Sequence, residues 1–198
     1  MSILTNSTQV ELWQEAVRHG EDICSVSLKE DLESYLVFLL MKHVNQPEVT
    51  KQILATKLFE SLQSDRFRRH LLLQDVGDES LLFAGLFPQI AVKRRVKIRY
   101  FVEIGRTAYA ALSQQANDLY GSLAGQFVIL MDVLQSIRQY SKESADLLPL
   151  EAYEQWNTVG SQRALRILQL YSAAMPLQTH EQQDSLIYWD EDHSTHKS

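Results

Sequence analysis

Every proline in this chain falls between segments whose apolar residues recur at helical spacing, and that placement constrains the fold more than any motif does. Pro47, Pro88, Pro149 and Pro176 each stand where a helix can begin or end. Inside a helix, proline would remove a backbone hydrogen bond and clash with the preceding turn. Strand signals are nearly absent, with no Asn-Gly or Asp-Gly hairpin turn and no sustained apolar–polar alternation. The sequence therefore predicts an all-α, single-domain bundle of six to eight helices with short connections.

The expected helices follow from periodicity and punctuation. The first runs over Ser7–His19 and stops at Gly20. Ser27 and Glu30 read as a capping box for a helix from Leu28 to about Val44. Pro47 suits the first turn of another, to about Gln63. A helix over Arg66–Asp75 is expected to break at Gly77-Asp78, with Asp78 as N-cap of a short helix to Leu86. Longer helices are expected over Ile90–Gln115, Asp118–Tyr140 and Pro149–Tyr171. Residues 1–176 form the helical domain, and 177–198 an acidic tail expected to be disordered.

Charge is polarised along the chain. The net charge is −6, but residues 66–106 hold nine basic and four acidic side chains, whereas 177–198 hold five acids against one lysine. Five of the seven residues from Lys93 to Arg99 are basic, at the junction between two expected helices. The single cysteine, Cys24, excludes an intramolecular disulfide and fits a reducing compartment. The absence of a signal segment or a membrane-length apolar run points to the cytoplasm.

Two helices carry the candidate site residues. On the Ile90–Gln115 helix, Arg95, Arg99, Glu103 and Arg106 share a stripe opposite Ile98, Phe101, Ile104, Ala108 and Leu112. A solvated face with weak ion pairs is the plain reading; an arginine fork gripping phosphate or carboxylate is the functional one. On the Asp118–Tyr140 helix, Gly121, Gly125, Asp132 and Ser136 form a face of small and polar residues. Two glycines on one helix face predict a close helix–helix contact, inside the fold or across a homodimer interface. Asp132 lies among apolar neighbours and is expected to be buried and paired with a basic or hydroxyl side chain, with an arginine of the preceding helix as the expected donor.

Searches for catalytic motifs return little. The chain has no Glu-x-x-His pair, paired cysteines, Gly-x-Ser-x-Gly or phosphate-binding Gly-Lys-Ser/Thr loop. Its six histidines are scattered, so no metal or cofactor is expected.

Three blocks stand out as units: Glu33–Met41 (ESYLVFLLM), Gly77–Pro88 (GDESLLFAGLFP) and Arg94–Tyr109 (RRVKIRYFVEIGRTAY). Together they resemble an uncharacterised family of helical proteobacterial proteins, over roughly residues 28–140. The resemblance implies a helical protein of the bacterial cytosol and transfers no catalytic residue.

The leading expectation is a non-catalytic interaction or regulatory protein whose basic helix junction meets an acidic protein or anionic ligand. The alternative is a helical small-molecule-binding protein or enzyme, with Arg94, Arg95 or Arg99 holding an anion that Tyr100, Tyr109 or Asp132 orients. Nucleic-acid binding through Arg66, Arg68, Arg69 and Lys93–Arg99 suits the basic middle. It sits poorly with the acidic total and the lack of a recognition helix.

Overall fold

A computed structural model describes residues 2–45, 54–87, 91, 95–113, 118–142 and 147–171. Among these residues there are nine helices and no strand, so the chain is all-α. They are α1 (Ser2–Cys24), α2 (Glu30–Asn45), α3 (Leu54–Gln63), α4 (Arg66–Gly85), α5 (Ile98–Leu112), α6 (Leu119–Gly125), α7 (Phe127–Lys142), α8 (Pro149–Val159) and α9 (Gln162–Tyr171). The sequence predicts eight at most; two expected helices join and two others divide.

The junction expected at Gly77-Asp78 is the one that disappears. α4 runs unbroken from Arg66 to Gly85, with Asp65 as its N-cap, accepting from the backbone amides of Phe67 and Arg68. Gly77 sits inside this helix because the Tyr109 ring occupies the space where a side chain would go. A Cβ at Gly77 would lie 2.4 Å from Tyr109 Cε1. The glycine marks a close approach rather than a turn. The same correction applies to α1, which passes through Gly20 and packs there against Val133 and Ile137 of α7.

Two long predicted helices are divided. The Asp118–Tyr140 helix is interrupted at Gln126, which separates α6 from α7. The Pro149–Tyr171 helix ends at Gly160, whose φ of 77° closes α8 in the left-handed conformation that glycine adopts without a Cβ penalty. α8 and α9 then fold back on each other around Ala152, Trp156, Ala164 and Ile167. The capping box expected at Ser27 and Glu30 is displaced as well: α2 begins at Glu30, and the Lys29 carbonyl accepts from Leu32 and Glu33.

α4 is the central element, packed against α3, α5 and α7. Its second half is buried almost all round, from Val76 to Gly85. The core it enters includes Leu36, Leu40, Phe83, Phe101, Tyr109, Phe127, Leu130 and Leu134. At helical spacing Phe127, Leu130, Leu134 and Ile137 make one stripe along α7, and all four are buried. The first half of α4 differs: only Leu73 is buried between Arg66 and Asp75. Among the described residues, no helix is long and apolar enough to cross a membrane.

Candidate functional site

Phe67, Leu71, Asp75 and Asp78 follow one another at spacings of four, four and three, so they form one stripe along α4. The stripe runs from surface to core. Phe67 and Leu71 are 75% and 47% exposed, whereas Asp78 is 5% exposed. Asp78 therefore corrects the expectation of an N-cap: it is a buried carboxylate in mid-helix.

Three helices meet at this carboxylate. Its Oδ1 accepts from the Tyr35 hydroxyl of α2 at 2.6 Å and from the Tyr109 hydroxyl of α5 at 2.9 Å. Lys42 Nζ of α2 stands 3.7 Å from Asp78 Oδ2 and 3.6 Å from Asp75 Oδ1. The two tyrosine rings meet edge to face, 6.2 Å between centroids. Burial pushes the Asp78 carboxyl above its ordinary range, against the two hydroxyl bonds and Lys42, which pull it down. Burial likewise raises both tyrosines, with the Asp78 charge adding to the effect, so both hydroxyls remain donors at neutral pH. Tyr120 of α6 continues the cluster, its ring 6.3 Å from Tyr109 and its hydroxyl 3.4 Å from His70 Nε2.

Chemically, this arrangement holds helices together. One Asp78 oxygen is saturated by two donors and the other faces Lys42, so a substrate would have to displace Lys42 to reach it. The pH dependence has a definite sign. With a folded-state pKa raised above the unfolded one, the folded state retains a proton that the unfolded chain has lost. Stability therefore falls as pH rises from the ordinary aspartate range, near 4, through the folded value. Asp78→Asn keeps an acceptor for both tyrosines and removes the titration. Relative to the parent, it is expected to gain stability as pH rises through that window, read by urea denaturation at pH 4, 5, 6 and 7. A parent-minus-variant difference independent of pH would show that Asp78 does not titrate in that window.

Asp132 forms a second buried centre. As the sequence predicts, it is buried, and its partner is a hydroxyl: Ser161 donates to Oδ1 at 2.7 Å, and the Arg163 amide donates to Oδ2 at 3.2 Å. The expected donor, an arginine of the preceding helix, is not the one used. Both donors come from the start of α9, where Ser161 Oγ also accepts from the Ala164 amide. The Arg163 guanidinium reaches Gln135 and Gln139 of α7, and Gln135 continues to the Ala84 carbonyl of α4. Arg166 donates to the Ile23 and Cys24 carbonyls, closing the end of α1.

The structure disperses the arginine pocket envisaged from sequence. Tyr109 is fully buried at Asp78, Asp132 serves α9, and Arg95 and Arg99 are exposed. Arg95 is not on the predicted helical stripe, because α5 begins only at Ile98. Its φ of 54° places it in the left-handed region, beside a Val96 amide bonded to the Ala91 carbonyl. Arg99 and Glu103 do pair, at 2.6 Å, in an exposed ion pair of small energetic weight. Lys97, which has no acid at helical spacing, finds Glu154 of α8 at 3.0 Å. Lys93 and Arg94 lie outside the described residues, as does the tail. Gly121 donates its amide to Asp118 Oδ1 at 2.7 Å, near the start of α6. Among the described residues, Gly125 meets no atom within 4 Å of a notional Cβ, so the close contact expected there does not form among them.

No protein-family model matches the chain, and neither a curated protein nor a solved structure resembles it. The site that sequence reasoning missed was nonetheless divided among the three blocks it singled out. Tyr35 lies in the first, Gly77-Asp78 in the second and Tyr109 in the third. The signal was an acid beside a glycine at the start of an apolar run, which reads equally well as a cap. Among the described residues, no group of three or more His, Cys, Asp or Glu side chains is placed to hold a metal ion.

Proposed function

We propose that the protein is a non-catalytic interaction protein of the bacterial cytosol that receives an anionic, amphipathic partner on the first turns of α4. One observation carries this reading. Phe67 and Leu71 are exposed on a helix whose first four residues include Arg66, Arg68 and Arg69, all exposed as well. Three arginines at a helix start oppose the positive end of the macrodipole, and inside the first turn of α4 no acid joins the Asp65 cap in offsetting them. Exposed aromatic and aliphatic side chains add nothing to the core. Both features disfavour the isolated fold and favour a complex in which arginines meet acids and the apolar stripe leaves water.

Arg68 is tied to Glu60 of α3. Arg66 and Arg69 have no acidic partner among the described residues. The elbow that the sequence favoured makes a weaker anion site, since Lys97 and Arg99 already have acids beside them. Of its described members, Arg95 is the one with no acidic partner among the described residues. The buried carboxylates Asp78 and Asp132 are engaged in joining helices, which supports an interaction role over catalysis. Self-association across Gly125, which leaves open space on α6, stays a separate reading.

The test is site-specific photo-crosslinking in the native host, with the reactive side chain at position 67 and, as control, at exposed Leu12. An acidic partner captured from 67 and not from 12, and lost in an Arg66→Gln/Arg69→Gln variant of unchanged melting temperature, is the expected outcome. Equal capture from both positions, or capture indifferent to the arginines, would overturn the proposal.

A further inference from the structure

We infer that the chain's own residues 184–192 occupy the Phe67–Leu71 face, so that the acidic C-terminal segment competes with an external partner. This rests on the reading of α4's first turns as the partner surface. The segment reads Asp-Ser-Leu-Ile-Tyr-Trp-Asp-Glu-Asp: four consecutive apolar residues, Leu186–Trp189, with Asp184 before them and Asp190, Glu191 and Asp192 after. The face it matches has the opposite composition, with Phe67 and Leu71 exposed and Arg66 and Arg69 beside them. Apolar side chains on both sides give up water, and three clustered acids meet arginines that otherwise stand against a helix dipole.

Other exposed apolar residues do not fit this occupant as well. Leu148 and Leu150 stand at the start of α8, whose first turn carries Glu151, and Leu170 and Tyr171 close α9 without a basic residue in its last turn. Among the described residues, only the start of α4 joins large exposed apolar side chains to a run of arginines. Fourteen residues separate Tyr171 from Leu186, and a chain of that length reaches up to about 50 Å when extended. A folded domain of this size is only about 40 Å across. Because the link is covalent, the segment is present at high effective concentration, and even a weak contact is substantially occupied.

Hydrogen exchange on the full chain tests this directly. Amides of residues 186–190 are expected to exchange at least tenfold more slowly than their intrinsic rates, and to lose that protection in 0.5 M salt. Phe67→Ser/Leu71→Ser should abolish the protection while leaving α7 amides of residues 130–137 as slow as in the parent. Should that variant lose its fold, Asp190→Lys/Glu191→Lys/Asp192→Lys, which leaves the helical body untouched, should abolish it equally. Intrinsic exchange rates at 186–190 in the parent would overturn the inference, and so would protection that survives the tail charge reversal. Neither result bears on the partner surface itself, which stands or falls by crosslinking from position 67.

Discussion

Asp132→Ala is expected to cost about 3 kcal/mol or more of folding stability, because it strips acceptors from two buried donors at once. The Ser161 hydroxyl and the Arg163 amide both end on this carboxylate, and each orphaned buried donor costs about 1–3 kcal/mol. The damage extends beyond α7. α9 loses the anchor of its first turn, and with it the positions of Arg163 against Gln135 and Arg166 against the end of α1. For a chain of this length the melting temperature should fall by roughly 6–12 °C. Asp132→Asn retains one acceptor and should lose about half as much. Burial raises the Asp132 carboxyl, with the Ser161 and Arg163 bonds opposing that shift, so the deficit of the alanine variant should be smaller at neutral pH than near pH 4. An alanine variant that melts like its parent would mean that α9 does not depend on this carboxylate.

Gly77→Ala is expected to destabilise by up to about 2 kcal/mol, although alanine is the better helix former by about 1 kcal/mol. The new methyl would lie 2.4 Å from Tyr109 Cε1 and 2.6 Å from Cδ1. Tyr109 is fully buried, packed against Phe127 and Tyr120, and bonded to Asp78 through its hydroxyl. The ring can yield only by giving up that bond or shifting its neighbours, and overpacking of this kind costs about 1–3 kcal/mol, of which helix propensity returns about 1. A double-mutant cycle with Tyr109→Leu isolates the clash. In the leucine background the alanine should become neutral or stabilising, a coupling of at least 1 kcal/mol. Additive effects would show that Gly77 serves the backbone and not the ring.

These two positions show how far the sequence reaches. At Asp132, an acid amid Ile129, Leu130, Met131, Val133 and Leu134 was enough to predict burial and a partner, because an apolar surround leaves a carboxylate few alternatives. Which residue answers it was not legible: Ser161 is 29 positions away, and only the fold brings α9 onto α7. At Gly77-Asp78, local chemistry misled. A glycine followed by an acid and an apolar run is the pattern of a helix start, and it is also what a helix needs to admit a tyrosine ring and hold its hydroxyl.

The helical class, the core face of α7 and the separation of basic middle from acidic end were all set by the sequence alone. Periodicity and charge are properties of neighbouring residues, and no distant contact can reverse them. Tertiary structure decided which glycines interrupt a helix and which let another element approach. It also decided that Tyr35, Asp78 and Tyr109 form one site, and that Lys97 spends its charge on Glu154 while Phe67 and Leu71 stay outside the helical core. Each of these depends on pairs far apart in the chain, whose meeting is fixed by the packing of whole helices and leaves no trace in local spacing.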